Sequence, residues 1–443
     1  MNILLLDVYP DVDYRISKDQ NGGYGTANNY GKTIFTTLLK KLVSKSIDFP
    51  PLYSVQVLGE LKSVNHDIEY AKIIPKNLDP YDFIIITSSI VCHETEIEAI
   101  KFLKKFNKTI FAIGPFVTSN PEKYVDAGAK VIRGEPEMFF HKFNLSKKEI
   151  DNLPNSIENL KVIDINDLAD PGWEIIFKKY TPKHKFLGNE PAVNINASRG
   201  CPYSCFNYCV YPLQQGRKLR LKDTEKILNE IRNLKKNFGV TNYIFRDPVF
   251  SIDRKHTIKL LNKIIEANLK IKICIETHLK NIDDELANYL KKAGVKLIYV
   301  GIESAVEGVR KDSKRHSEAN DKQIEKINYL EKIGIKVKAM YILGLPTDSK
   351  ESFSKTLDYA QKVNSSYAQF SVFTPYPGTP IYKDYKDKIT AKKYEDFTQW
   401  QLVFDHPNFS KKDVDNIMSS AYRKYYLNPK WLIKYFKDKL FQK

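Results

Sequence analysis

Cysteine is scarce in this chain: five residues in 443, three of them between positions 201 and 209. So few thiols make no disulfide framework, and the usage fits a reducing, cytoplasmic compartment. Long hydrophobic runs are missing too. The first stretch, NILLLDVYP, is broken by Asp7 and reads as a buried strand rather than a signal peptide, and no run approaches a membrane span. GGYGTANNYG (22–31) is glycine-rich but lacks both the strand–turn–helix setting and the Lys-Ser/Thr ending of a phosphate loop. It reads as a loop near a ligand or a domain interface. Acidic residues are outnumbered, 53 against 70 basic, for a net charge of +17. The lysines are nevertheless spread over helix faces such as KILNEIRNLKK, with no repeated basic–aromatic code. Nucleic acid is therefore not expected as a partner, whereas an anionic substrate or membrane surface is permitted.

What is present is a strand–helix rhythm running through most of the chain. In residues 1–140, MNILLLDV, NHDIEYAKI, YDFIIITSS, KTIFAIGP and AKVIRG are short apolar runs ending in small or turn residues, with helical stretches between them. That order predicts an α/β fold with a doubly wound parallel sheet, in which ligands bind beyond the carboxyl ends of the strands. Thr87, Ser88, Ser89, Gly114, Pro115, Arg133, Gly134 and Glu135 stand at those ends. Residues 141–190 read as a connector, with Trp173 as a packing anchor between domains. From 191 to 380 the strands AVNINAS, TNYIFRDP, IKICIETH, KLIYVGIES, KVKAMYILG and AQFSVFTP predict a partial (β/α)6 barrel. Residues 381–443 form a helical appendage.

The chemistry centres on SRGCPYSCFNYCVYP (198–212), where Cys201, Cys205 and Cys209 sit on a loop just after a strand. Thiolates this close suit a shared soft-metal centre. Three ligands leave one iron of a cluster free for a substrate or cofactor. A structural zinc site would want a fourth ligand, and no Cys or His stands at finger spacing. Cys274, inside a strand, reads as a core residue.

This loop resembles the signature of the radical S-adenosylmethionine (SAM) enzymes, Cys-x3-Cys-x2-Cys with an aromatic before the third cysteine. Here the spacing is Cys-x3-Cys-x3-Cys, as if Phe206 were inserted, and Tyr208 keeps the aromatic place. The first 140 residues resemble the cobalamin-binding domain that precedes the radical SAM domain in one large group. PPLYSVQVLGELKSVNHDIEY and AIGPFVTSNPEKYVDAGAKVIRGEPE carry that likeness. The Asp-x-His-x-x-Gly motif is absent, so the resemblance implies cobalamin bound without a protein histidine on cobalt, contacted near Thr87, Ser88, Gly114 and Gly134. For SAM it implies Tyr208, Asp247 (with Arg246, in FRDP), Glu303 of GIES, Arg315 or Lys314, and Gly344 of MYILG, where Met340 replaces the family's first glycine. PYPGTP (375–380) matches the group's loop over the barrel mouth. His278 is the candidate proton donor or substrate ligand.

The implied activity is that of a cobalamin-dependent radical SAM methylase. A 4Fe–4S cluster would cleave SAM, and with cobalamin the enzyme would methylate or otherwise transform an unactivated carbon of a lipid, glycan precursor or secondary metabolite. A reducing donor such as flavodoxin or ferredoxin is the expected partner. Two alternatives stay open: a radical SAM enzyme without functional cobalamin, and a non-catalytic scaffold with a disabled cluster loop. The aromatic and lysine-rich end, AYRKYYLNPKWLIKYFKDKLFQK, is expected either to dock on the barrel or to make peripheral membrane contact.

Overall fold

Short apolar runs closed by small residues become parallel strands, in two sheets of six. The computed structural model describes the chain except Asn29, Gly31, Lys32, Leu160, Lys161, Val162, His316, Gln442 and Lys443, and except the side chains of Phe206, Lys439, Leu440 and Phe441. In the first sheet, β1 (Asn2–Leu6), β2 (Asp67–Ala71), β3 (Phe83–Thr87), β4 (Thr109–Ile113), β5 (Lys130–Arg133) and β6 (Ser156–Glu158) lie in the order 2-1-3-4-5-6. Every pair is parallel. The order reverses beside β1, the switch point at which such sheets open a crevice. Five strands stand where the apolar runs predict them. The sixth, β6, comes from within 141–190, so part of the stretch expected to be only a connector completes this sheet. Its three residues, SIE, are too short and too polar to announce a strand.

The second sheet runs β7 (Ala192–Ile195), β8 (Asn242–Phe245), β9 (Lys272–Thr277), β10 (Val295–Glu303), β11 (Lys336–Leu343) and β12 (Tyr367–Val372), each parallel to the next in chain order. Unbroken sequential order is that of an open (β/α)6 barrel. Helices cover its outside, each with a stop or start signal of its own. Thr224–Phe238 begins at the Asp223 cap and ends on Gly239 at φ +65°, and Lys350–Val363 begins in a capping box at Ser349. The floor of the lumen is shut by a separate apolar cluster, Ile47, Phe49, Leu187, Ala192, Ile244, Cys274, Leu297 and Tyr299. Cys274 is a core residue, as its place in a strand suggests.

An open barrel leaves β12 with an unpaired edge, which would template aggregation if bare. The helix Lys411–Tyr426 covers it with hydroxyls. Tyr422 donates to Phe370 O and accepts from Phe370 N, while Tyr426 does the same at Ala368. Trp431 Nε1 adds a bond to Ser366 O. The appendage is therefore docked on the barrel, although Ile433 and Phe436, farther along Pro429–Phe441, are exposed. Among the described residues, no helix is long and apolar enough to cross a membrane.

Candidate active site

The cysteine loop is rooted by Asp247. Its carboxylate, fully buried beyond β8, accepts from Ala197 N at 3.0 Å and from the Ser198 hydroxyl at 2.6 Å. Burial pushes Asp247 up to about 6 against these bonds. The loop then makes a sharp turn at Gly200, whose φ is +87° and where a Cβ would fall 2.1 Å from Lys218 O. Residues Ser204–Asn207 form one 3₁₀ turn, closed by Cys209 N donating to Cys205 O at 3.1 Å. The longer spacing is thus taken up within a hydrogen-bonded turn between Cys205 and Cys209. The side chain of Phe206, the apparent insertion, lies outside the described set.

After the larger effect of burial, Cys205 raises the proton affinity of both Cys201 and Cys209, and Cys201 raises that of Cys209. Among the described residues no three Cys, His, Asp or Glu side chains converge tightly enough for a single metal ion. This donor set fits a 4Fe–4S cluster, in which each cysteine takes a different iron. Soft ligands, a buried loop and no fourth protein ligand agree with that group.

Beside the cysteines stands an ion pair. Arg315 Nε is 3.2 Å from Glu303 Oε1, and Arg315 Nη2 donates to Gly301 O at 2.9 Å. Glu303 ends β10 at φ +64°, a left-handed conformation rare for its type, and the register with β11 slips between Gly301 and Glu303. The bulge re-aims the carboxylate. Gly301 gives it room, since a Cβ there would be 2.5 Å from Glu303 Oε1 and 2.7 Å from Arg315 Nη2. Burial raises Glu303, and Arg315 opposes the rise. Lys314, the other candidate, turns its carbonyl to the Ser204 hydroxyl, and Arg315 is the cation at the site.

Glu303, Tyr208 and Cys209 line one side of a lumen cavity of about 200 Å³. Thr374 and Tyr376 close its mouth, with Tyr376 supplied by the PYPGTP loop. That loop also ties the two halves together, because Pro377 O accepts from the Tyr24 hydroxyl at 2.8 Å. Other sequence candidates lie elsewhere. Asp247 braces the cysteine loop instead of facing the cavity. Gly344, at φ +76°, donates to Asp348 in a turn beyond β11 and does not line the cavity. His278 caps the turn Leu279–Asn281, its Nδ1 accepting from Lys280 N, with its ring against Tyr203. It too is absent from the cavity wall.

The cavity has walls that strand-end reasoning missed. Gln20, Asn21, Thr26 and Asn28 enter from the first unit, and Tyr299 and Lys338 from the barrel, beside Arg246 and Glu276, which the sequence does place at strand ends. Asp19 anchors the incoming segment through Arg246 Nη2 at 2.5 Å. The glycine-rich stretch thus becomes an interface, as one of its two readings held. A signal for Lys338 was available in the alternation of KVKAMYIL; for residues 19–28 there was none beyond their glycines.

That segment also closes the first sheet. Lys18 is wholly buried between Asp7 (3.2 Å) and Glu96 (2.8 Å), which hold its ammonium above the usual range despite the larger opposing effect of burial. Thr87 donates to Asp7 at 2.7 Å, Ser88 Oγ accepts from Val117 N, and Tyr53 donates to Ser88 O while packing on Gly114. Gly134, half-buried, donates to Thr118 Oγ1. The space left between the sheets, beside Gly22, Gly23 and Tyr53, is about 40 Å³. Residues 16–27 and Tyr53 pack over these strand ends, where the sequence reading places a corrinoid.

Comparison with known proteins agrees with the geometry. The Radical SAM superfamily profile matches residues 195–360, which begin at the end of β7 and run past β11. The uncharacterised methyltransferase PH0819 of Pyrococcus horikoshii is 26% identical over 391 residues, 83% of each chain. Among solved structures, the radical SAM methyltransferase TsrM of Kitasatospora setae, with cobalamin and a [4Fe–4S] cluster bound, superposes at a TM-score of 0.60 and 13% identity, over 86% of this chain and 76% of that one. The cobalamin-dependent SAM radical enzyme OxsB superposes at 0.65 and 12% identity, over 96% of this chain and 66% of the other. Residues 195–360 thus carry a radical SAM domain, and over most of its length the chain is similar to a protein named as a methyltransferase.

Proposed function

We propose that this enzyme splits SAM reductively at a cluster held by Cys201, Cys205 and Cys209, and directs the resulting reactivity at a carbon of a small molecule in the lumen, ending in methyl transfer. One observation carries the reading: Cys209 and Glu303 line the same lumen cavity, with Arg315 paired to Glu303 and interacting with Cys205. When bound, the cluster supplies a low-potential electron, and SAM supplies the adenosyl group that abstracts hydrogen. The chain's own residues do the rest. Glu303 presents an acceptor for an ammonium or for ribose hydroxyls, and Arg315 a donor for a carboxylate. Tyr208, wedged against Phe373 at 6.2 Å, walls off solvent. The floor cluster keeps water from below, protecting a reactive species.

Substrate class follows the sequence reading: a lipid, glycan precursor or secondary metabolite. Electrons would come from a flavodoxin- or ferredoxin-type partner. TsrM and OxsB bind cobalamin, which supports a cobalamin-assisted form here; residues 16–27 close the strand ends that such a form would use. The same closure favours a second reading, in which this site transforms a C–H bond without cobalamin.

Anaerobic reconstitution with iron, sulfide and hydroxocobalamin, followed by SAM and dithionite, separates these readings. 5′-Deoxyadenosine together with S-adenosylhomocysteine, and a corrinoid visible spectrum on the purified protein, supports the first. 5′-Deoxyadenosine without bound corrinoid supports the second. Neither product, with little iron bound, defeats both and leaves a scaffold.

A further inference from the structure

Deeper in the lumen the cavity changes character. Along β11 alternate residues turn inward, so Lys338, Met340 and Ile342 line the cavity while Val337, Ala339 and Tyr341 are buried on the other face. Lys338 Nζ lies 4.7 Å from the centroid of the Tyr299 ring, and among the described residues no carboxylate makes an ion pair with it. Its charged surroundings come from three elements: Arg15 on the segment from the first unit, Arg246 beyond β8, and Glu276 with the Cys274 thiol on β9. Arg15 is committed to Asn28 and Ser46. Arg246 binds Asp19 through Nη2 and leaves its buried Nε without a partner, as Trp400 leaves its buried Nε1. Glu276 Oε2 accepts from the Tyr211 hydroxyl at 3.4 Å. The cavity thus has spare donors, with two arginines and a lysine near one another and only two carboxylates among them.

Burying a cation without a partner is unfavourable, and here burial lowers Lys338 to about 7. An anion seated against it would offset that cost. We propose that the lumen cavity binds the anionic end of the substrate, a carboxylate or a phosphate group, with Lys338 as the residue that meets it. The inference rests on the cavity being the substrate site of a radical enzyme, and it narrows the substrate to an acid or a phosphorylated molecule. Lys338 acts as a binding and positioning residue. It holds one end of the substrate at the floor while the other reaches the mouth beside Cys209 and Glu303.

Calorimetric titration of the reconstituted full chain, cluster and SAM in place, with inorganic pyrophosphate and separately with glutarate tests this. Binding of either probe is expected, and which one binds tells phosphate from carboxylate. Loss of one charge-assisted contact in Lys338→Met should weaken that binding by about tenfold or more. Lys338→Arg should retain it, and so should Lys311→Met at an exposed lysine. Should the Met variant not fold, Lys338→Gln replaces it. Equal binding by Lys338→Met or Lys338→Gln, or no binding of either anion by the wild type, overturns the proposal. 5′-Deoxyadenosine formation by the same wild-type preparation keeps the two readings apart. SAM cleavage without anion binding sinks this inference alone, and anion binding without SAM cleavage sinks the radical reading alone.

Discussion

Arg315 and Glu303 meet over a residue with no side chain: Gly301, whose carbonyl accepts from Arg315 Nη2 at 2.9 Å while Arg315 Nε stands 3.2 Å from Glu303 Oε1. The pair depends on that gap. Gly301→Ala puts a methyl 2.5 Å from the carboxylate and 2.7 Å from the guanidinium. We expect SAM affinity to fall by about tenfold or more, as for a lost charge-assisted bond, with the fold intact by circular dichroism. Equilibrium dialysis with SAM measures it, and unchanged affinity would remove the pair from SAM binding.

Cys209→Ala should abolish cluster assembly, read as bound iron and the visible charge-transfer absorption. Cys92→Ala and Cys274→Ala should keep both, because Cys92 is buried in the turn Ile90–Cys92 of the first unit and Cys274 in β9. If Cys209→Ala holds as much iron as the wild type, Cys209 is not a cluster ligand.

The tyrosines on the edge of β12 make a stability prediction. Tyr422→Phe with Tyr426→Phe removes the partners of Phe370 N and Ala368 N, each loss costing about 1–3 kcal/mol. A lower denaturation midpoint and concentration-dependent aggregation are expected, since the bared edge can pair with another chain. Urea unfolding combined with light scattering checks both.

His93 gives a pH test. It begins the helix His93–Lys104 between Phe116, Tyr124 and Tyr394, and burial lowers it to about 4. The unfolded chain binds the proton more tightly. Its contribution is therefore complete above pH ~6.5 and is lost as pH falls through about 4. His93→Phe should flatten that part of the stability–pH curve by up to about 3 kcal/mol, measured as the difference in unfolding free energy between pH 7 and pH 4. Parallel curves for the two proteins would show that His93 titrates normally.

Lys18→Met leaves Asp7 and Glu96 buried and facing each other without their cation. Breaking a buried pair in this way costs about 3–5 kcal/mol, and thermal unfolding should show one of the largest losses in the chain. A small loss would mean that one carboxylate is protonated in the native state.

Period and spacing made much of this legible in one dimension. Five strands of the first sheet, all six of the second, the three cysteines, and Glu303 and Arg315 all sit where short-range pattern places them. Residues chosen for standing at a strand end fared unevenly. Glu303 lines the cavity, while His278 and Gly344 are taken up by bonds two and four residues away and Asp247 by Ala197 and Ser198 after β7. A strand end specifies a neighbourhood, and the competing local partner decides where the side chain goes.

Alone, the sequence determined what depends on residues close in the chain: the alternation of β11, the helix starts at Asp223 and Ser349, and the apolar runs that had to be strands. Only the tertiary structure decided what depends on distant partners. Asp19 reaches Arg246 across 227 residues to make a wall of the lumen, and Tyr24 reaches Pro377 across 353 to join the two units. Lys18 fills the strand ends because Glu96 and Asp7 happen to converge there. Such contacts have no period. They arise when two sheets are packed together and every buried charge must find a partner, or, like Lys338, be left facing a cavity.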